Sequence, residues 1–233
     1  MARWFAEWRE GWHAGDVTHH QHGIDHHQDP TEFWEEFYSP GRRPWSGRPN
    51  RVLVDELARL RPAPSTALDL GCGTGGDALW LAEQGWRVTA VDISAAALDQ
   101  AEQAARVQGL GARVDWRRVD LDDGFPVGAW DLVTSAYLQA PVALGRDAIL
   151  RGAAAAVAPG GTLLVIGHAT APTWAESPPE HMQDLPGPHD VLAILDLPDW
   201  TVERAEQVTL ESTSPDGRPG TRTDSLVRLR RPA

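Results

Sequence analysis

From residue 66 onward, short apolar runs alternate with stretches whose apolar positions recur every three or four residues, the rhythm of strands exchanging with helices. An apolar run at 67–70 is followed by a helical period over 75–84. A second run at 87–91 ends at Asp92, and Ser94 is positioned to cap an alanine-rich helix reaching about residue 108. Strands are predicted at 113–118 and 130–135, then a helix at 146–158 closed by Pro159-Gly160-Gly161, then a fifth strand at 162–166. Such alternation specifies an α/β fold, a doubly wound and mostly parallel sheet. After residue 168 the pattern changes. Five prolines fall within 169–188 beside Trp174, His181 and Met182, a composition suited to an ordered loop over a site. A short helix at 189–195 follows, and strands at 201–211 and 225–230 flank Pro215-Asp216-Gly217, so a C-terminal antiparallel hairpin should complete seven strands.

The N-terminal part has a different texture. Trp4, Trp8 and Trp12 share one helical face, and six histidines, His13, His19, His20, His22, His26 and His27, crowd the next stretch. Residues 1–30 therefore read as an extension and 31–233 as the domain. The imidazoles lack a thiolate partner or a finger-like spacing, so no metal site is expected there. The tryptophan stripe should pack on this domain or on a second copy of the chain, making a homodimer. A short helix is predicted at 33–38, an irregular loop at 39–50, and a helix at 50–60.

At 233 residues the chain is long enough for one domain with a full core. Its formal charge of −12 opposes a polyanionic partner, which directs attention to small molecules rather than nucleic acid. A lone cysteine, Cys72, forbids an internal disulfide, and neither a signal-type apolar core nor a bilayer-length segment is apparent. The expectation is a soluble cytoplasmic protein. All 21 basic residues are arginine, so lysine Schiff-base chemistry is excluded.

The chemistry concentrates at residues 67–76, Ala-Leu-Asp-Leu-Gly-Cys-Gly-Thr-Gly-Gly, a strand entering a glycine turn that opens a helix. Gly71, Gly73 and Gly76 satisfy the spacing of dinucleotide-binding turns, which would make an NAD-linked oxidoreductase. Asp92, 21 residues beyond Gly71 at the end of the second strand, suits both hydroxyls of a ribose and so supports an adenosine ligand of either kind. Taken singly, Asp69 and Asp92 could be mere strand-end turn formers.

Leu68-Asp69-Leu70-Gly71-Cys72-Gly73-Thr74-Gly75 resembles the first motif of class I S-adenosylmethionine-dependent methyltransferases, and Val88-Thr89-Ala90-Val91-Asp92-Ile93-Ser94 resembles their second. Pro44-Trp45-Ser46-Gly47-Arg48-Pro49-Asn50 is similar to the bacterial thiopurine and tellurite methyltransferase branch. The resemblance implies S-adenosylmethionine held by the turn residues Gly71, Cys72 and Gly73, with Asp120 at the adenine amino group and Ile93 and Leu121 sandwiching the ring. It also implies that Trp45 and Arg48 cover the cofactor, Arg48 offering its fork to the methionine carboxylate. Asp69 agrees with this choice, because a carboxylate suits the methionine ammonium and repels a pyrophosphate.

The acceptor side is expected at the ends of strands four and five. Ser135-Ala136-Tyr137-Leu138-Gln139 corresponds to the family's fourth motif, so Ser135 joins the cofactor set and Tyr137, Gln139, His168 and Trp174 the substrate set. Tyr137 and His168 are the candidate catalytic groups; His168 is read equally as a general base and as a structural strand-end residue. The first expectation is a sulfur or other soft acceptor, with oxygen or nitrogen acceptors as the alternative and a non-catalytic S-adenosylmethionine-binding protein as a third reading.

Overall fold

The computed structural model describes residues 29–39, 47–175, 182, 185–214 and 217–233. The tryptophan stripe, the histidine cluster, Trp45 and His181 lie outside the described residues.

Helix α1 (Pro30–Phe37) begins three residues earlier than its aromatic run suggests, because Asp29 accepts hydrogen bonds from the amides of Thr31 and Glu32 and Pro30 fits the first helical position. Helix α2 (Arg51–Leu60) is capped by Asn50, whose Oδ1 accepts from Val52 at 2.8 Å. The alternating unit then runs β1 (Thr66–Leu70), α3 (Gly76–Glu83), β2 (Arg87–Asp92), α4 (Ala95–Val107), β3 (Val114–Arg118), β4 (Trp130–Ala136), α5 (Arg146–Ala155) and β5 (Val157–His168). Helix α6 (Pro188–Leu195) leads to the hairpin β6 (Thr201–Thr213) and β7 (Pro219–Arg230).

These strands form a seven-stranded sheet in the order β3-β2-β1-β4-β5-β7-β6, parallel from β3 to β5 and antiparallel in the hairpin, as expected. Strand alternation sends Leu68, Leu70, Leu163 and Val165 to one core, packed by Leu150, Val191 and Leu195 of α5 and α6. Ala67, Ala90, Leu164 and Ile166 face the other, beneath Leu53 and Leu57 of α2 and Leu81 of α3. Each fully buried leucine contributes about 1.5–3 kcal/mol, so both faces need their helices.

Two boundaries differ from the sequence pattern. Helix α5 ends at Ala155 rather than 158, because Val157 already pairs with Trp130 and Pro159-Gly160-Gly161 makes a bulge before Thr162 pairs with Leu132. Strand β7 starts at Pro219 rather than 225, since residues 219–224 find backbone partners along the far end of β6.

Candidate active site

The sheet order reverses between β1 and β4, and ligands of open α/β sheets bind at that switch, beyond the carboxyl ends of the strands. Leu70 pairs with Val91 on one side and Ser135 on the other, so Gly71, Asp92 and Ala136 emerge together. Gly71, at φ +67°, turns the chain, and the Cys72 amide returns a hydrogen bond to Val91 O at 3.0 Å. Asp92 ties the turn to the next loop. Its Oδ2 accepts from Gly73 N at 2.8 Å and its Oδ1 from Ser94 N at 3.0 Å. A cavity of about 290 Å³ opens here and continues from this turn past the ends of β4 and β5 to the hairpin.

The N-terminal segment covers one end of it. Glu35 accepts from Ala95 N and Ala96 N, capping α4, while Gln100 donates to Tyr38 O at 2.8 Å. This fixes α1 so that Pro30, Trp34 and Tyr38 line the cavity. Asn50 N donates to Asp77 Oδ1, tying the chain before α2 to the first turn of α3. A Cβ at Gly76 would sit 2.7 Å from Arg48 O, so only glycine lets this segment lie so close.

Three carboxylates cluster under the turn. Burial, then Asp77, pushes Asp69 up to about 8; burial pushes Asp77 up to about 6 and also raises Asp92. Asp69 Oδ1 accepts from Thr134 Oγ1 at 3.0 Å, whereas its buried Oδ2 has no hydrogen-bond partner. Of the three, Asp77 and Asp92 line the cavity, and crowded acids there suit an incoming cation, which a sulfonium-bearing amino acid supplies and a pyrophosphate does not. Burial also pushes the Cys72 thiol up, with Asp92 and Asp69 next, so it stays a neutral wall of the turn.

At the opposite end the groups converge on one buried carboxylate. Tyr137 Oη donates to Asp224 Oδ2 at 2.7 Å, His168 Nδ1 lies 3.2 Å from Asp224 Oδ1, and Arg222 Nε lies 3.3 Å from Oδ2. The Tyr137 and His168 rings stack with centroids 4.2 Å apart, and the Arg222 guanidinium carbon stands 5.5 Å from the Tyr137 ring centre. Tyr137 holds φ +55°, uncommon for a residue with a large side chain, which singles out this turn. Burial and then Asp224 push its phenol well above the ordinary range, so Tyr137 is a hydrogen-bond donor and not a base.

Most of the expected site residues come together around this cavity. Arg48, Gly71, Cys72 and Gly73 line it, followed by Asp92, Ile93, Asp120 and Leu121. Tyr137, Gln139, His168 and Trp174 line the other half. The Gln139 amide is engaged with its own scaffold, accepting from His168 N at 2.8 Å and donating to His168 O at 3.2 Å. Asp69 and Ser135 stand one step behind the wall. Both lie within central strands, 2% and 1% exposed, and neither lines the cavity; the strand ends expose Gly71 and Ala136 instead. Asp77 and Arg222 line it without having been anticipated, Met182 and Leu185 of the 169–188 segment line it too, and Asp224 organises it from behind. A polar alternation in Thr221-Arg222-Thr223-Asp224 was the only sequence sign of the last pair.

Residues 67–161 match the family described as a methyltransferase domain. The chain is 37% identical over 115 residues to a cypemycin N-terminal methyltransferase of a Streptomyces species, covering 48% of this chain and 46% of that one. It is 31% identical over 157 residues to a ubiquinone biosynthesis O-methyltransferase of Xanthomonas axonopodis pv. citri, covering 66% and 63%. The chain thus spans less than two thirds of the length of these curated relatives. Among solved structures, one described for the conversion of a disulfide bond into a thioacetal group during echinomycin biosynthesis is 26% identical, with a TM-score of 0.66 over 87% of this chain and 93% of that one. TehB from Haemophilus influenzae shares the fold at 18% identity, a TM-score of 0.62, and coverage of 85% and 67%, so the branch suggested by Pro44–Asn50 is a distant structural neighbour.

Proposed function

We propose that the chain, whose residues 67–161 match the family described as a methyltransferase domain, transfers a methyl group from S-adenosylmethionine to a small-molecule acceptor. The observation that carries the reading is the single cavity that joins the glycine turn to the Tyr137 and His168 wall, giving donor and acceptor one shared chamber. Bound there, S-adenosylmethionine supplies an electrophilic methyl group on a sulfonium. Asp92 is assigned to the ribose hydroxyls, Asp120 to the adenine amino group, and Ile93 and Leu121 to the ring faces. Arg48 is assigned to the methionine carboxylate. Asp77 meets the ammonium, with the field of Asp69 directly behind it.

The protein's part in the reaction is alignment, exclusion of water and management of one proton. Trp174, Met182 and Leu138 give the acceptor half apolar walls, while His168 and Tyr137 provide its polar face. A thiol acceptor is the first choice, supported by the sulfur chemistry described for the 26% identical structure. An oxygen or nitrogen acceptor is the second, favoured by the names of the two curated relatives.

Calorimetric titration with S-adenosylhomocysteine and with NADH tests the cofactor, and S-adenosylhomocysteine formation from thiophenol, phenol and benzylamine tests the transfer. Binding of the first ligand alone, with product from at least one acceptor, is the expected result. Tight NADH binding without a response to S-adenosylhomocysteine would overturn the reading, and cofactor binding without product across a broad acceptor panel would favour a non-catalytic binder.

A further inference from the structure

Helix α1 presents two faces to the rest of the chain. Trp34 and Tyr38 line the cavity, whereas Glu35, about 100° around the helix from Trp34, stands outside it against the first turn of α4. Its Oε1 accepts from Ala95 N at 2.8 Å, and its Oε2 from Ala96 N at 3.0 Å and Ser94 Oγ at 3.2 Å; the Arg118 guanidinium lies 3.5 Å from Oε1. The first amides of a helix have no partner within it and attract negative charge, so α4 takes its anion from its own chain. Burial alone would raise the Glu35 carboxyl, but the amides of Ala96 and Ala95, the Ser94 hydroxyl and Arg118 together hold it below the ordinary range.

The residues that Glu35 binds also hold the loop after β2. Ser94 N donates to Asp92 Oδ1 at 3.0 Å, and Arg118 Nε donates to Ile93 O at 3.0 Å. Asp92 and Ile93, assigned to the ribose and the adenine ring, line the cavity, whereas Ser94, Ala95 and Arg118 lie behind them. One carboxylate therefore joins the aromatic cover to the adenosine loop through groups outside the cavity. None of the eight residues of α1 is buried, so apolar burial holds this helix less firmly than the core elements and its docking depends on polar tethers. A second tether, Gln100 Nε2 to Tyr38 O at 2.8 Å, also comes from α4. An element docked in this way opens at a small free-energy cost, to which a ligand touching Trp34 adds.

Resting on the methyltransferase reading, we propose that Glu35 is the positioning residue that couples cofactor binding to the docking of α1, joining Trp34 to the Asp92–Ser94 loop so that the aromatic cover and the ribose carboxylate hold S-adenosylmethionine as one unit. Glu35 acts through these residues and does not touch the ligand itself. The coupling is reciprocal: a bound cofactor strengthens the docking of α1 by the same factor as docked α1 strengthens cofactor binding.

Calorimetry with S-adenosylhomocysteine on the full chain tests this as a double-mutant cycle. Glu35→Gln, which keeps one carbonyl acceptor and removes the charge, and Trp34→Ala should each weaken binding by about tenfold, and the double variant by about tenfold rather than about 100-fold, because both remove the same cover. Hydrogen exchange is the second readout, with S-adenosylhomocysteine expected to slow the α1 amides by about tenfold in the wild type and by less than about twofold in Glu35→Gln. Glu32→Gln, at an exposed position of the same helix, should match the wild type in both measurements. Losses that multiply in the double variant, or α1 amides whose exchange ignores the ligand in the wild type, would overturn the proposal. Should Glu35→Gln fail to fold, the ligand-dependent exchange of α1 in the wild type decides alone. A wild type that does not bind S-adenosylhomocysteine would overturn the methyltransferase reading and this proposal with it, whereas binding with multiplied losses overturns the proposal alone.

Discussion

Gly73 donates its amide hydrogen to Asp92 Oδ2 at 2.8 Å, so the carboxylate assigned to the ribose also staples the end of β2 to the glycine turn. Each carboxylate oxygen has a second lone pair, which leaves Asp92 able to bind a ligand while holding the loop.

Asp92→Ala should therefore act twice. Cofactor binding is expected to weaken by about 1–3 kcal/mol, and the amides of Gly73 and Ser94, deprived of their acceptor, should lower the stability of the ligand-free protein as well. Calorimetry with S-adenosylhomocysteine and thermal melting measure the two effects, and an unchanged affinity would count against the ribose assignment.

Proton linkage gives a second expectation. Asp69 and Asp77, raised from 3.8 to about 8 and about 6, hold protons in the folded chain that an unfolded chain has released. Their contribution to stability is complete below about pH 4 and is lost as pH rises through those folded values, so the ligand-free melting temperature should fall as pH rises from about 4 to about 8. A bound cation favours the ionised carboxylates, so cofactor affinity should rise over the same interval and binding should release protons. Calorimetry in two buffers of different ionisation enthalpy detects that release; proton uptake would contradict the assigned ammonium site.

Gly220 packs against Thr173 and Trp174, on the acceptor side of the cavity. A Cβ there would stand 2.7 Å from Thr173 Oγ1 and 2.8 Å from Trp174 Cδ1, so Gly220→Ala should push the 172–175 segment off the hairpin. The acceptor KM is expected to rise by about tenfold, roughly 1.4 kcal/mol, with S-adenosylhomocysteine affinity unchanged. A loss confined to cofactor binding would be inconsistent with Trp174 forming the acceptor wall.

Glu56 on α2 is 1% exposed and forms ion pairs with Arg204 and Arg228 of the hairpin, with Arg59 nearby at 3.5 Å. Glu56→Ala should cost about 1–3 kcal/mol, because Arg204 and Arg228 lose the buried carboxylate they share and keep only Glu206 and Glu203 as partners. Denaturant unfolding measures this, and a change below about 0.5 kcal/mol would mean that the arginines re-pair elsewhere.

The donor half of the site was legible because sequence neighbours there become spatial neighbours. A parallel β1 and β2 pair brings Gly71 and Asp92 together by rule, and strand ends advertise Tyr137 and His168. Asp69 and Ser135 sit a single step behind the cavity wall, since one residue along a strand separates the buried interior from the exposed lip. Asp77 looked like an ordinary first-turn acid of a helix. Asp224 and Arg222 could not be anticipated, because their meeting with His168 depends on the register of an antiparallel strand reached only after a long excursion, and no local pattern encodes that alignment.

Inserting β7 between β5 and β6 has a consequence for how such a chain can diversify. Everything assigned to the cofactor is complete by Leu121, whereas Asp224 and Arg222 belong to a hairpin encoded far downstream. Substitutions in that hairpin can remodel which molecule is methylated while the donor machinery is inherited intact. Selection can therefore act on the two ends of the gene almost independently.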